Sequence, residues 1–369
     1  MAGPDGAVHR IEGAEPGLDV GFDIHDSRFV RRVLGGGDVG FADSYVAGEW
    51  DSPNLAKLLT AFSANFDRIT RLLAGNPMMR AVNAAAHALN RNSKSGSRRN
   101  IQAHYDLGDD FYRLWLDPGM NYSSALFLDD RHDLVAGQRA KHAALAQTMN
   151  LQTGQSLLEI GCGWGDFARF AAIEYQARVT AVTVSKAQHD HAAHMIQQQG
   201  LNDRVTIKLC DYRDLDGRFD RVASIEMLEA VGEAYWPTYF RKLASLMAPG
   251  GRAGLQVITI REDLFEGYRR RPDFIQLNIF PGGMLPSNRR LRHETDRVGL
   301  TWTDLRRFGQ DYADTLTEWA RRYDERLGAV HAQGFDMRFD RLWRYYLGYC
   351  EAGFRTGRTD VIQLGLSAA

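Results

Sequence analysis

Apolar positions divide this chain into two regimes. Between Phe22 and about Leu89 they recur at helical spacing: Phe29, Val30, Val33 and Leu34 share one face, Gly35-Gly36-Gly37 breaks it, and Leu55, Leu58 and Leu59 open a second face. Asp51-Ser52-Pro53 precedes that second face as a cap and first-turn proline. The pattern predicts a small, mainly helical unit over 21–90. From Ile101 the pattern changes to short, β-branched apolar runs at 156–160, 177–184, 204–210, 219–225 and 252–260, with helix-compatible stretches between most of them. Strands alternating with helices predict an α/β fold over 100–369, an open parallel sheet covered by helices on both faces.

Two segments lie outside this pattern. Residues 1–20, rich in turn formers and polar groups, are expected to be disordered. Residues 91–99 carry Arg91, Lys94, Arg98 and Arg99 without an acid, and read as a linker, either a solvated hinge or one that also touches anionic headgroups. The start of the chain lacks a charged-then-apolar signal pattern, and no apolar run reaches the roughly 18 residues of a membrane span. With three scattered cysteines, Cys162, Cys210 and Cys350, there is neither a disulfide framework nor paired zinc-ligand spacing, so a reduced, cytoplasmic protein without a metal site is expected. The 45 basic and 46 acidic residues cancel, which gives no global field for nucleic acid.

The chemistry concentrates at the ends of the apolar runs, where open α/β sheets hold their ligands. Ser156-Leu157-Leu158-Glu159-Ile160 leads into Gly161-Cys162-Gly163-Trp164-Gly165-Asp166, a strand, a glycine loop and a helix start. A dinucleotide fingerprint needs a third glycine at 166, which is Asp166, so the loop argues against a nicotinamide cofactor. The second run ends in Thr183-Val184-Ser185-Lys186-Ala187-Gln188, neutral partners where many nucleotide binders place an acid for ribose hydroxyls. After the third comes Cys210-Asp211-Tyr212-Arg213-Asp214, an aromatic ring and carboxylates suited to adenine. The Glu-x-Gly-x-Gly-x-Gly motif resembles the first motif of S-adenosylmethionine-dependent methyltransferases.

A more specific likeness precedes the sheet. Residues 100–112 (Asn-Ile-Gln-Ala-His-Tyr-Asp-Leu-Gly-Asp-Asp-Phe-Tyr) and 116–127 (Leu-Asp-Pro-Gly-Met-Asn-Tyr-Ser-Ser-Ala-Leu-Phe), with Glu229 in Met-Leu-Glu-Ala-Val-Gly, Ile279-Phe280-Pro281-Gly282-Gly283, Phe308-Gly309-Gln310-Asp311-Tyr312 and the aromatic run 345–354, resemble the cyclopropane fatty acid synthase family. The likeness runs from about residue 22 to the C-terminus, and Ser44-Tyr45-Val46-Ala47-Gly48-Glu49-Trp50 resembles the N-terminal domain of the longer, phospholipid-acting bacterial enzymes. It implies a Rossmann-like methyltransferase fold with a mostly parallel seven-stranded sheet. It further implies that S-adenosylmethionine is held by Tyr105, Tyr122, Ser123, Glu159, Gly161, Gly163, Thr183, Val184, Gln188, Asp211, Tyr212, Arg213 and Ile225. A bicarbonate ion beside the sulfonium methyl is implied at Ser124, Glu229, Gln256, Ile258 and Tyr312. Ser124 and Gln256 replace a cysteine and a histidine of the bacterial pattern, and with Glu226-Met227-x-Glu229-Ala230-Val231-Gly232 they resemble the plant enzymes.

The reaction so implied adds a methylene group to the cis double bond of an unsaturated phospholipid acyl chain at the inner membrane surface. An isolated alkene is a weak nucleophile, so the site must hold it against the sulfonium in a dry pocket and stabilise a carbocation. Loss of a proton from the new methyl closes a cyclopropane. Loss elsewhere, or supply of hydride, leaves a methyl branch. Arg269-Arg270-Arg271 beside Phe274 and Ile275 is either a membrane-docking cluster or a solvated face. Trp343, Tyr345 and Tyr346 are most simply core. The alternatives are a non-catalytic lipid-binding protein on the same fold and a methyltransferase for a small polar acceptor. A homodimer is the expected assembly.

Overall fold

The structure, a computed structural model, describes residues 1, 3, 7–10, 17–65, 76–79, 82–83, 92–93, 96, 107–129 and 132–368. Half of the predicted N-terminal tail and most of the 91–99 linker lie outside this set. Within the linker, Asn92 is buried, and its Nδ2 donates to the Gly282 carbonyl at 2.7 Å, so that residue is anchored to the C-terminal part.

The N-terminal unit is a two-residue ribbon and two helices. β1 (Asp23–Ile24), α1 (Arg28–Val46), β2 (Trp50–Asp51) and α2 (Leu55–Ala64) follow in order, with β1 and β2 antiparallel. The glycine run redirects the first helix without ending it: Gly37, at φ +64°, kinks α1, and the chain continues to Val46. The cap of α2 is Asn54, whose side chain accepts from the Lys57 N–H. Asp51 pairs in the ribbon instead, and Pro53 stands ahead of the cap. Phe41 and Trp50 pack at 4.6 Å between ring centroids, and the Trp50 indole donates to Ser44 Oγ at 2.8 Å. This core is continuous with that of the C-terminal helix Met337–Arg355, whose Arg341 donates to the carbonyls of Tyr45 and Trp50 and pairs with Asp51.

The C-terminal part continues with α3 (Asp109–Arg113), α4 (Leu134–Thr148), β3 (Ser156–Ile160), α5 (Asp166–Glu174), β4 (Arg178–Thr183), α6 (Lys186–Gln198), β5 (Val205–Leu209), β6 (Phe219–Ile225), α7 (Trp236–Leu246) and β7 (Met247–Ile260). It ends with α8 (Glu262–Tyr268), α9 (Phe274–Asn278), α10 (Asn288–Asp296), β8 (Leu300–Arg307), α11 (Gly309–Glu325), α12 (Leu327–Ala332), α13 (Met337–Arg355) and β9 (Thr359–Ala368). The sheet order is β5-β4-β3-β6-β7-β9-β8. Only β9 runs against its neighbours β7 and β8; the other pairings are parallel. The seven-stranded, mostly parallel α/β fold is as expected.

Side-chain alternation along β3 shows how the sheet is buried on both faces. Leu158 and Ile160 join Trp236, Phe240 and Leu243 of α7 on one face. Leu157 joins Phe167 and Phe170 of α5 and Leu145 of α4 on the other. Each such side chain, fully buried, contributes about 1.5–3 kcal/mol. The sheet is thereby clamped, and the carboxyl ends of β3, β4, β5 and β6 are held as a fixed rim. α11 and α13 stand over this rim and connect it to α1 and α2.

Candidate active site

The loop after β3 has three glycines in the left-handed region, Gly161 at φ +81°, Gly163 at +51° and Gly165 at +92°. The N–H groups of Gly161 and Cys162 donate to the Val182 carbonyl at 2.9 and 3.0 Å, which pins the loop against β4. A Cβ at Gly161 lies 2.6 Å from Met227 Cγ and one at Gly165 lies 2.9 Å from Ala192 Cβ, whereas one at Gly163 meets nothing within 4 Å. Gly163 therefore offers bare backbone to the cavity. Glu159, at the end of β3, is buried with Oε2 unpartnered, and burial drives its carboxyl well above the ordinary range while Lys141 acts the other way.

Thr183 and Gln188 meet at the end of β4, where the threonine hydroxyl donates to Gln188 Oε1 at 2.9 Å and Ser185 caps α6 between them. Val184 lies in the same cavity wall. Asp211 is held in a fork by Arg213, with Nε to Oδ1 at 2.8 Å and Nη2 to Oδ2 at 2.6 Å. Tyr212 lies edge-on to Tyr239 at 5.5 Å, and burial pushes its hydroxyl up to about 12. These residues, with Ile225, Tyr122 and Ser123, line one cavity of about 980 Å³. Tyr105 lies outside the described residues.

Past this rim the cavity reaches a carboxylate that the sequence reading did not single out. Glu226, the residue after β6, accepts from the Ser124 N–H at 2.9 Å, from Gln256 Nε2 at 2.7 Å and from the Tyr312 hydroxyl at 2.6 Å. Gln363 Nε2 donates to Gln256 Oε1 at 3.0 Å and to the Lys141 carbonyl at 2.9 Å, so the Gln256 amide is turned with its N–H toward Glu226. Lys141 is fully buried, with Nζ 2.7 Å from Ser123 Oγ; burial pushes it down to about 8, opposed by Glu226 and three further carboxylates. Glu229, on the 3-10 turn Leu228–Ala230, accepts from the Ile258 N–H, and its Oε2 is buried without a partner. Burial, then the neighbouring Glu226 charge, pushes Glu229 up to about 8.

A bicarbonate does not fit this arrangement. Three of its expected donors, Ser124, Gln256 and Tyr312, already converge on Glu226, and the Ile258 N–H is taken by Glu229. Glu226 was legible only as the first acid of the Glu226-Met227-x-Glu229 motif, with no role of its own. Lys141 and Gln363, which orient the group from α4 and β9, have no motif of their own.

Aromatic rings close the rest of the cavity. The Tyr122 and Tyr346 hydroxyls lie 2.7 Å apart, and Tyr312 stacks on Phe354 at 4.4 Å. Trp343 is buried core, while Tyr345 and Tyr346 line the cavity. The same cavity is also lined by Ile275 and Phe280 and by Phe29, Val33 and Phe62 of the N-terminal unit. The Arg269–Arg271 cluster is not a free basic patch. Arg269 pairs with Glu233 at 3.0 Å and Glu266 at 3.5 Å, Arg270 pairs with Glu266 at 3.4 Å, and Arg271 lines the cavity. Among the described residues no helix is long and apolar enough to cross a membrane.

Residues 92–364 match the family described as mycolic acid cyclopropane synthetase. The chain is 38% identical over 346 residues to the tuberculostearic acid methyltransferase UfaA1 of Mycobacterium tuberculosis, covering 90% of this chain and 79% of that one. It is 33% identical over 350 residues to the cyclopropane-fatty-acyl-phospholipid synthase of Escherichia coli, covering 93% and 87%. The crystal structure of mycolic acid cyclopropane synthase CmaA1 complexed with SAH and CTAB superposes with a TM-score of 0.68 at 31% identity, covering 73% of this chain and 97% of that one.

Proposed function

The chain belongs to the mycolic acid cyclopropane synthetase family, and on that premise we propose that it uses S-adenosylmethionine to add a methylene group to the cis double bond of an unsaturated phospholipid acyl chain, closing a cyclopropane. The observation that carries this reading is a single cavity lined together by a glycine loop, a buried carboxylate and a set of aromatic and apolar side chains. The rim fits the adenosyl amino acid. Bare backbone at Gly163 and the unpartnered Glu159 oxygen suit its amino-acid end, Thr183 and Gln188 its ribose, and Asp211 and Tyr212 its adenine. When bound, S-adenosylmethionine supplies a methyl group activated by a sulfonium.

The chain's own residues do the rest. Apolar walls exclude water and hold the alkene in line, which is where most of the acceleration for a weak nucleophile arises. The faces of Tyr122, Tyr312 and Tyr346, with the Glu226 carboxylate, lower the energy of the carbocation that follows. Val30 and Leu34 are 52% and 62% exposed at the cavity's N-terminal end. Segment 76–79 adjoins them through the Asn76 N–H and Gly35 carbonyl, with Met78 77% exposed. This apolar rim supports loading from a bilayer surface, with hydrophobic contact more important than the arginine cluster.

A methyl-branched product is the second reading, favoured by the 38% identity to a tuberculostearic acid methyltransferase. Both outcomes begin with methyl transfer. They part at the cation: loss of a proton from the new methyl closes the ring, whereas loss of a proton from a neighbouring chain carbon leaves the methyl as a branch beside a double bond. The reading is tested by offering phospholipid vesicles with cis-unsaturated or fully saturated chains: methyl transfer to the unsaturated lipid alone is expected. Transfer to a small amine with neither lipid modified would replace it.

A further inference from the structure

We propose that the Glu226 carboxylate is the resident general base of this site and makes a bicarbonate ion unnecessary. The proposal rests on the reading above, that an alkene receives the methyl group here. Glu226 gathers three donors from three distant parts of the chain: the backbone N–H of Ser124, the amide of Gln256 on β7 and the hydroxyl of Tyr312 on α11. That is the set expected for a small anion, and the side chain satisfies it with its own two oxygens.

The backbone supports the same conclusion. Glu226 sits at φ +48°, a conformation that suits glycine and costs other residues on the order of 1–3 kcal/mol. A glutamate is held there by its donors, and the strain aims the carboxylate into the cavity that also receives Gly163, Tyr122 and Phe280. The charged and titratable groups facing it are Lys141 from α4, Glu229 from the turn after β6 and Tyr312 from α11. Two adjacent buried carboxylates do not both ionise readily. Glu229, with one oxygen unpartnered and pushed up to about 8 by burial and the Glu226 charge, takes the neutral form, and Glu226, whose three donors favour its charged form, takes the charge.

The step balances without any further reactant. The alkene π pair forms a bond to the incoming methyl carbon as the sulfur–carbon pair returns to sulfur, leaving a cation on the second alkene carbon. The Glu226 carboxylate takes one proton from that methyl, and the released C–H pair closes the third side of the ring. Glu226, now a carboxylic acid, returns the proton to solvent.

The experiment uses the full chain with cis-unsaturated phospholipid vesicles, in buffer stripped of carbon dioxide and with bicarbonate added back, on wild type, Glu226→Gln and Glu226→Gly. Wild-type turnover is expected to be indifferent to bicarbonate. Glu226→Gln should lose about 10²-fold or more, the scale of a positioned base, and should not recover. Glu226→Gly, whose glycine suits the backbone angle, should fold, bind ¹³C-bicarbonate by NMR and regain turnover as the ion is added. Thermal melting and S-adenosylmethionine calorimetry serve as folding controls. Near-wild-type turnover of Glu226→Gln, a bicarbonate requirement in the wild type, or ¹³C-bicarbonate bound to wild type would overturn the assignment. The bicarbonate-binding contrast does not depend on turnover, so a wild type inert toward lipid would remove the proposed reaction while leaving the anion cradle judged on its own readout.

Discussion

Replacing Tyr312 with phenylalanine removes one hydroxyl and leaves the ring stacked on Phe354. That hydroxyl lies 2.6 Å from Glu226 Oε2, and burial and the Glu226 charge both raise its own pKa well above the ordinary value, so it remains a donor at any working pH. A hydrogen bond to a buried charge contributes about 1.5–3 kcal/mol. At about 1.4 kcal/mol per pKa unit, its loss raises Glu226 by about one to two units. Burial has already moved Glu226 upward against the pull of Tyr312, Gln256 and Ser124, so removing one of the three donors adds to the existing shift. A base must be ionised to act, and its activity is lost as pH falls through its pKa. The acid limb of the turnover profile on unsaturated vesicles should therefore move about one to two units to the alkaline side in Tyr312→Phe, with cofactor affinity retained. An acid limb that stays in place, with turnover reduced equally at every pH, would refute the link between this hydroxyl and the Glu226 charge.

Three further outcomes follow from other parts of the structure. Gly163→Val puts a branched side chain at φ +51° into the open space of the rim, so calorimetry should show S-adenosylmethionine binding abolished or strongly weakened while the protein still melts cooperatively. His142 is buried, and burial, then Lys141, pushes it down to about 3. Its folded pKa lies below the unfolded value, so the unfolded chain binds the extra proton; stability is whole above about pH 6.5 and declines as pH falls toward 3, and the melting temperature of His142→Gln should fall less steeply over that window. Aspartates at Val30 and Leu34 should weaken vesicle binding in a flotation assay, whereas neutralising Arg269 and Arg270 should change it little because Glu233 and Glu266 already balance them.

The parallel half of the sheet was readable because its strands are continuous apolar runs bounded by turns: 156–160 and 219–225 coincide with β3 and β6. The antiparallel end was not. β8, Leu300–Arg307, is an edge strand whose side chains are mostly exposed and polar, and β9 follows the long helix α13 after only the short turn Thr356-Gly357-Arg358. In the N-terminal unit the helical faces were visible. What the pattern could not convey was that Gly37 bends a helix and that Arg341 joins the unit to α13, since both depend on contacts about 300 residues apart in sequence or on a backbone angle. The residues lining the rim of the cavity were legible from residue types in strand-end order. The anion site was legible as a set of donors, Ser124, Gln256 and Tyr312, yet its occupant was not. Glu226 and Glu229 stand three positions apart, and only the left-handed turn at Glu226 decides which carboxylate reaches the donors.

The central claim is that this cavity joins a one-carbon unit to an acyl double bond. The most direct measurement supplies S-adenosylmethionine with a trideuterated methyl group to the purified chain and cis-unsaturated phospholipid vesicles, then examines the acyl chains by mass spectrometry and NMR. The account predicts a cyclopropane ring at the former double bond, its bridging carbon retaining two deuteriums and the third lost to the base. Acyl chains recovered with their double bonds intact and no deuterium, from a protein that binds the cofactor, would contradict it.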